Sequence, residues 1–599
     1  MIRNQILGNE KVKPNSKEIE TLKANFPQFF DESGQFLEDR FMGMLKSNEV
    51  VLSKEGYELK FLGKSYARYL SSTSTETFLA PLEEDNAKPE NKDSENLYII
   101  GDNLDALKHL LNSYAGKIKC IYLDPPYNTG SDGFVYPDNF KFNSQELAKA
   151  IGIEDEEADR ILNLAGKSSH SAWLTFMYPR LILARELLSD DGVIFISIDD
   201  YEKDSLKKAC DEIFIGNYIG TIVWQRAFSP KNDAKYLSSS HDYVLIYAKN
   251  INSFKVGKLP RTEEANARYK NPDNDYRGKW VSGDLSVKTY SKEYDYPITT
   301  PSGKIINPSH GSCWRVNKNK FNELVKDNRI WFGENGDNVP RLKRFLSEVQ
   351  DGMVSTTLWL HNDVGHNQEG RQEVKKLFDD KGYFDGPKPI RLLSRILQIA
   401  NTENDSIILD FFAGSATTAH AVMQFNAEDG GNRKFILCTN NENNICEEVC
   451  YQRIKKANEK YNYNSNLEYL KTELLKYDSQ KHSDLDIKEF MVDKLIEIIK
   501  VREACFKLDE INKFLLKFAH INKSVYVLQD IYKMKKNDYD EVVSILKDDE
   551  KDKINIYILS MSNHEHYINK ISKAHKNITF EPLPESFLKM LRKIERKRR

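Results

Sequence analysis

At 599 residues, 40% hydrophobic and 30% charged, the chain is too long for a single core and carries apolar material for about three or four domains. Its net charge of -3 excludes a nucleic-acid partner held by bulk charge, so any basic surface must be local. Seven cysteines without paired spacing argue for reduced thiols rather than a disulfide framework, and neither a signal peptide nor an 18-residue apolar run is seen, a pattern expected of a cytoplasmic protein.

Residues 1–95 read as a mostly helical, polar region and a linker. Phe36, Leu37, Phe41, Met44 and Leu45 are spaced for one helical face. Gly63-Lys64-Ser65 has the end of a phosphate loop, but the nearest upstream glycine, Gly56, is too far for that spacing, so the stretch is expected to be a plain loop. The run from Pro81 to Asn96 is charged, proline-marked and without periodicity, as in a linker or exposed segment.

From 96 to 250 strands and helices alternate. Leu97–Ile100, Ile118–Leu123 and Val193–Ile198 read as strands, with helices at Asp105–Leu111 and Trp173–Leu188 between them. This is the rhythm of βαβ units on a parallel sheet. Gly152–Ala165 is an acidic helical insertion, and Ile219–Gln225 with Tyr243–Ala248 form an expected antiparallel pair at the sheet edge.

Asp124-Pro125-Pro126-Tyr127 follows the strand Ile118–Leu123 directly and precedes the turn signal Asn128-Thr129-Gly130. It therefore sits at a strand's carboxyl end, where open α/β sheets place ligands. The prolines fix φ and remove two N–H donors, which leaves the Asp124 carboxylate and the Pro125 carbonyl as acceptors beside an aromatic face. Such a turn suits an amino group on a planar ring; a rigid strand-closing turn is the other reading of the same four residues.

Between 251 and 385 the rhythm gives way to Asn, Asp, Gly and Pro with interleaved basic and aromatic residues, among them Arg277-Gly278-Lys279-Trp280, Arg329-Ile330-Trp331 and Arg341-Leu342-Lys343-Arg344. These suit phosphates and bases, or a solvated surface over a small core. From 386 to 464 the α/β rhythm resumes, with a helix over Pro389–Ala400 and a strand over Ser406–Leu409. The turn Asp410 to Thr418 then leads into a helix, Ala419–Phe425. A strand, then glycine and small hydroxyl residues, then a helix start lets a ligand approach backbone N–H groups. Glu442, after the next strand, Phe435–Cys438, is placed to hold a ribose. Residues 465–599 are expected to begin with helices between Leu467 and Phe518. A small α/β unit follows, with strands at Ser524–Leu528, Ile554–Leu559 and Ile578–Phe580, and the chain ends in the basic run Arg592–Arg599.

Rival chemistries lack their residues. There is no Pro-Cys pair for a cysteine nucleophile, Cys120 sits inside a strand, and Cys446, Cys450, His361 and His366 lack metal-ligand spacing, so no metal is expected.

Taken together, Asn96–Asn103, Asp124–Tyr127, His241–Lys249, Arg329–Gly333 and Asp410–Val422 resemble the modification (Mod) subunit of type III restriction-modification systems, a beta-class DNA adenine-N6 methyltransferase, over about 55–460. The resemblance implies a Rossmann-like S-adenosylmethionine-dependent methyltransferase core, circularly permuted, its catalytic half at 96–250 and its cofactor half at 386–464. A target-recognition region at 251–385 is inserted between the halves, and 465–599 serves dimer or restriction-subunit contacts. By the same resemblance Asp124 and the Pro125 carbonyl accept the hydrogens of the exocyclic amine, and Pro126 stiffens the turn. Tyr127 stacks on a base extruded from double-stranded DNA at a cost of roughly a few kcal/mol.

On the cofactor side the resemblance points to Asp102 and Asn103 for the adenine and to Lys388 and Pro389 for the amino acid end. Asp410, Phe412, Ala413, Gly414, Ser415 and Thr417 form the loop around the methionine and ribose. Ala416 stands where a second glycine is common, tolerable if its φ is negative. Aspartate at the first motif position favours adenine over cytosine N4. The partners implied are DNA, a second copy of the chain and a separate restriction helicase-nuclease (Res) subunit, with no membrane. A solitary regulatory methyltransferase, and a DNA-binding scaffold with an inactive transferase, are the alternative readings.

Overall fold

The computed structural model describes, isolated positions apart, residues 16–47, 58–129, 143–230, 234–349, 352–379, 386–474, 507–519, 523–529, 534–559 and 577–581. The expected helices between 475 and 506 and the basic end Arg592–Arg599 fall almost wholly outside them. The chain forms two compact units, one of 1–255 with 356–599 and one of 256–355.

The larger unit is built on a mixed sheet. Its strands, in chain order among the described residues, are β1 (Thr77–Pro81), β2 (Leu97–Ile100), β3 (Ile118–Leu123), β4 (Leu188–Ile198), β5 (Tyr218–Gln225), β6 (His241–Ala248), β7 (Leu358–Trp359), β8 (Ile407–Asp410), β9 (Lys434–Thr439) and β10 (Glu468–Leu474). They lie side by side as β1-β10-β2-β9-β8-β3-β4-β6-β5-β7. From β10 to β4 neighbouring strands are parallel, whereas β6 runs against both β4 and β5, and β1 runs against β10. The β5 and β6 pair is thus antiparallel as expected, with only the two-residue β7 outside it.

β3 is buried along its whole length, which is why it reads as a continuous apolar run rather than an alternating one. The helix His170–Leu187 carries the chain from β3 to β4, and its burial nearly all round matches its lack of a polar face. β8 pairs with β3, Ile408 opposite Cys120 and Leu409 opposite Ile121. The chain leaves β8 towards β9 on one side and β3 towards β4 on the other. Their junction is the switch point of the sheet, and the carboxyl ends of both strands open there.

Four stretches differ from expectation. The segment 81–96 is no linker: Asn86 Nδ2 donates to Tyr469 O at 2.9 Å, Leu467 N donates to Asn91 Oδ1 at 3.1 Å, and Ser94 and Asn96 are buried. Asn86 and Asn91 serve as backbone partners along β10, which explains part of the polar composition, while Glu84, Glu90 and Glu95 remain exposed. Gly63-Lys64-Ser65 opens a helix, Lys64–Ser72; Lys64 is buried and paired with Glu212 at 2.9 Å, so it is a structural cation. β10, expected to lie in a helical C-terminal region, belongs to the central sheet. Lys507–Asn512 and Leu515–Ala519 are strands of a second sheet, with Ser524–Gln529, Ile554–Leu559 and Ile578–Glu581 following in order. Leu and Lys favour helix in isolation, but Leu515–Ala519 is paired on both sides, and pairing overrides that weak preference.

The acidic insertion Gly152–Ala165 holds the helix Asp155–Leu162, preceded by another, Ser144–Ile151; together they send Leu147, Ala158 and Ile161 into the core and keep their acids outside. Residues 256–355 form the smaller unit around Leu285, Ile298, Trp314, Phe321, Ile330 and Phe332. It is narrower than the expected 251–385, because the helix Asn367–Leu377 belongs to the larger unit. Beside that core Lys343, almost wholly buried, pairs with Asp275, and Arg277 holds the Asp275 carboxyl well below the usual range. Arg341 and Arg344 of the same strand remain exposed. Among the described residues no helix is long and apolar enough to cross a membrane.

Candidate active site

Asp124-Pro125-Pro126-Tyr127 stands at the carboxyl end of β3 and is held from two sides. Trp173 Nε1 donates to the Pro126 carbonyl at 2.7 Å. Asn128, at φ 58, donates through Nδ2 to Glu202 Oε1 at 2.7 Å, an oxygen that His170 Nδ1 also meets at 2.7 Å. Asparagine tolerates the left-handed region better than other non-glycine residues, so the turn can reverse immediately after Tyr127. The Tyr127 hydroxyl donates to Asp124 Oδ1 at 2.8 Å. Burial and the Asp124 charge raise that hydroxyl well above its ordinary pKa, so Tyr127 is a neutral donor.

The turn after β8 is built differently. Asp410 is buried; its carboxylate accepts from Thr418 Oγ1 at 2.5 Å and from the Phe412 N–H at 3.0 Å. Burial outweighs those two donors and pushes its carboxyl up to about 7. The Ala413 N–H donates to the Cys438 carbonyl of β9, and Gly414 takes φ 48, which costs glycine nothing. Ala416 has φ 60, so the condition of a negative φ is not met: its methyl is held in the left-handed region at a cost of about 1 kcal/mol, and its N–H turns inward to the Ala413 carbonyl. Ser415 and Thr417 are buried beneath Arg453, whose Nη1 donates to Thr417 Oγ1 at 2.7 Å and to Ser415 Oγ at 3.1 Å. Arg453 is itself wholly buried and stands 3.9 Å from Glu373, which burial raises to about 7.

Lys388 joins the two turns. Its carbonyl accepts from Thr417 Oγ1 at 3.2 Å, and its ammonium lies 2.6 Å from Asp124 Oδ2. Pro389 caps the helix Ile390–Ile399, whose first N–H donates to Glu373 at 3.0 Å. Asp242, on β6, is 4% exposed and paired with Arg226 at 2.7 Å; burial, set against Lys388 and Arg226, brings its carboxyl to about 6. Lys388 thus pairs with Asp124, and its charge also favours the ionised forms of Asp242 and Asp410.

At the end of β2 Asp102 caps the helix Asn103–Tyr114, accepting from the Leu104 and Asp105 N–H groups, and its other oxygen meets Arg180 Nη2 at 3.0 Å. Asn103 is buried; its amide donates to the Phe411 carbonyl at 2.8 Å and accepts from Arg180 Nε, tying β2 to the turn after β8. Phe412 packs 6.0 Å from Phe176. Glu442 stands exposed past the end of β9, and no hydrogen bond or ion pair among the described residues joins it to the other candidates.

Five contributors escape sequence reasoning: Trp173, Arg180, Glu202, Arg453 and Asp242. Asp242 lies in the run His241–Lys249 and could have been singled out there; the other four sit in helices or beside one, with no local pattern. A carboxylate-rich centre beside Tyr127, Phe412 and the buried Trp224 fits a small organic cation with apolar arms, which is the chemistry of a sulfonium methyl donor.

Residues 118–451 match the model of a DNA methylase family that acts on N6 or N4 amino groups. The chain is 40% identical to the type III restriction-modification enzyme StyLTI Mod subunit of Salmonella typhimurium, across 76% of this chain and 71% of that one. The chain belongs to this family of DNA methyltransferases. With the EcoP15I Mod subunit of Escherichia coli the methyltransferase shares 37% identity over 73% of its own length and 72% of the relative's. Among solved structures, the cytosine-N4-specific PvuII DNA methyltransferase is similar at 12% identity, covering 64% of this chain and 97% of that one with a TM-score of 0.30. The family is S-adenosylmethionine-dependent, and this member has the features of a modification subunit of a type III restriction-modification system.

Proposed function

We propose that this methyltransferase transfers the methyl group of S-adenosylmethionine to N6 of an adenine extruded from double-stranded DNA, and that Asp124 and Tyr127 seat the base. The observation that carries the reading is the junction of β3 and β8, where Asp124 and the Asp410 turn are bridged by Lys388. Bound there, the cofactor supplies an activated methyl group, so the chain needs to position and polarise rather than to provide a strong base.

Asp124 accepts one hydrogen of the exocyclic amine and the Pro125 carbonyl the other, which moves the nitrogen towards tetrahedral geometry and frees its lone pair. The nitrogen–methyl bond forms as the sulfur–methyl bond breaks, and the proton that the amine sheds leaves by way of Asp124 to water. Tyr127 supports the base by its ring and Asp124 by its hydroxyl. Asp102 and Glu442 are assigned to the adenosine of the cofactor, Lys388 and Pro389 to its amino acid end, and Phe412 to Thr417 to the centre. Asn103, engaged by Phe411 and Arg180, acts by holding Asp102 in place.

Aspartate at the first motif position supports adenine over cytosine. The compact unit 256–355 is assigned to target recognition, with its exposed Arg341 and Arg344 as phosphate or base contacts. By kinship with Mod subunits, two copies act together with a separate restriction helicase-nuclease subunit, in the cytoplasm where chromosomal DNA is found. Sequencing modified bases in the host genome tests this directly: N6-methyladenine at one short sequence is expected, erased by Asp124→Ala. N4-methylcytosine alone would overturn the adenine assignment.

A further inference from the structure

The Lys388 side chain is 9% exposed and its ammonium touches the machinery on three sides. It lies 2.6 Å from Asp124 Oδ2, 5.2 Å from the centre of the Tyr127 ring and 6.0 Å from that of Trp224. With the Tyr127 hydroxyl on Oδ1, each oxygen of Asp124 already has a donor. A carboxylate has about four acceptor sites, so hydrogen bonding alone does not bar an incoming amine. Space and charge do. The ammonium is close to the aromatic ring against which the target base would stack, and an amine attacking a sulfonium methyl gathers positive charge that a neighbouring fixed cation opposes.

We propose that Lys388 is a positioning residue that acts through Asp124 and sets the order of binding, keeping the base site closed until the cofactor is in place. Its backbone is tied to the cofactor turn through Thr417, so the side chain is anchored within reach of both motifs. A sulfonium brought against the Asp410 turn repels the ammonium from Asp124. Once Lys388 has shifted, Asp124 Oδ2 faces the amine and the Tyr127 ring is clear. Cofactor binding thereby licenses base capture, and DNA scanned by the cofactor-free enzyme keeps its bases stacked.

The inference rests on the adenine methyltransferase reading and is tested by a signal other than turnover. A duplex containing the sequence mapped in the host genome, with 2-aminopurine in place of the target adenine, reports extrusion by its fluorescence. With the full-length wild type, sinefungin, which carries an ammonium where the sulfonium lies, should raise the signal at least threefold over cofactor-free enzyme. S-adenosylhomocysteine, a neutral thioether, should give less than half that rise. Lys388→Gln should extrude the base without cofactor to at least half the wild-type sinefungin level, and Lys388→Arg should restore the cofactor requirement. Equal wild-type signals with and without sinefungin, or a full cofactor requirement in Lys388→Gln, would overturn the proposal. If Lys388→Gln does not fold, the two-ligand comparison on wild type decides, since equal rises with both ligands also overturn it. A wild type that neither methylates nor extrudes this base with cofactor present refutes the methyltransferase reading instead.

Discussion

The turns after β3 and β8 leave neighbouring parallel strands of one sheet, yet they are stiffened by opposite means. The first is rigid by covalent structure: two prolines fix the backbone, and single donors from Trp173 and Asn128 fasten it. The second is made of small residues with no intrinsic stiffness, and it keeps its shape through a buried polar network of Asp410, Thr418, Ser415, Thr417 and Arg453. A rigid turn can leave its carboxylate half-exposed for chemistry. A network turn must bury its carboxylate, which is why Asp410 rather than Asp124 serves as scaffold.

That contrast can be broken from either side. Removing the half-buried carboxylate should have the largest effect: Asp124→Ala is expected to lower methyl transfer by roughly 10³-fold or more while DNA binding stays near wild type, measured by labelled-methyl incorporation beside a binding assay. On the network side, Arg453→Met should leave Ser415, Thr417 and Glu373 without their cation and destabilise the fold by about 3 kcal/mol in urea titrations, with weaker cofactor binding, because the partners stay buried.

The buried carboxyl of Asp410 also carries a pH signature. Its folded pKa, about 7, lies above the unfolded value, so its carboxyl disfavours the folded state increasingly as pH rises from about 4 through 7. Wild-type stability relative to Asp410→Asn should therefore fall by on the order of 2 kcal/mol between pH 5 and pH 8, and a flat difference would show that the network keeps Asp410 charged throughout. Asp242 and Glu373, at about 6 and 7, act in the same direction and remain in both proteins.

A loss of about 2 kcal/mol is expected from Trp173→Phe, which removes the bond to Pro126 and leaves a cavity where the buried indole packed, seen as a fall in kcat and in urea midpoint rather than in cofactor affinity. Smallest of all is Ala416→Gly. Relief of a left-handed alanine, worth about 1 kcal/mol, is offset by the buried methyl it removes, about 0.8 kcal/mol, so chemical denaturation should show little change.

The difference between the turns also explains what could be read from the chain. Asp124–Tyr127 was legible because its constraint is local: proline, proline and an aromatic after an apolar strand mean the same thing wherever they occur. The Asp410 turn was legible as a small-residue link from strand to helix, but its support was not, since Arg453 lies 36 residues beyond Thr417 inside an ordinary-looking helix. The segment 81–96 misled by composition, because polar residues that satisfy a neighbouring strand look like solvated ones until the neighbour is known. Helix propensity misled at Leu515–Ala519 for the same reason.

By itself, the sequence determined the alternation of strands and helices, the rigid turn Asp124–Tyr127 and the order of the two motifs, all of which follow from periodicity and backbone restriction over a few residues. Tertiary structure alone decided that β3 and β8 are neighbours, that Lys388 joins Asp124 to the turn after β8, and that Ala416 is left-handed. Those outcomes depend on long-range pairing and on which charges are buried together, quantities that no short window of residues contains.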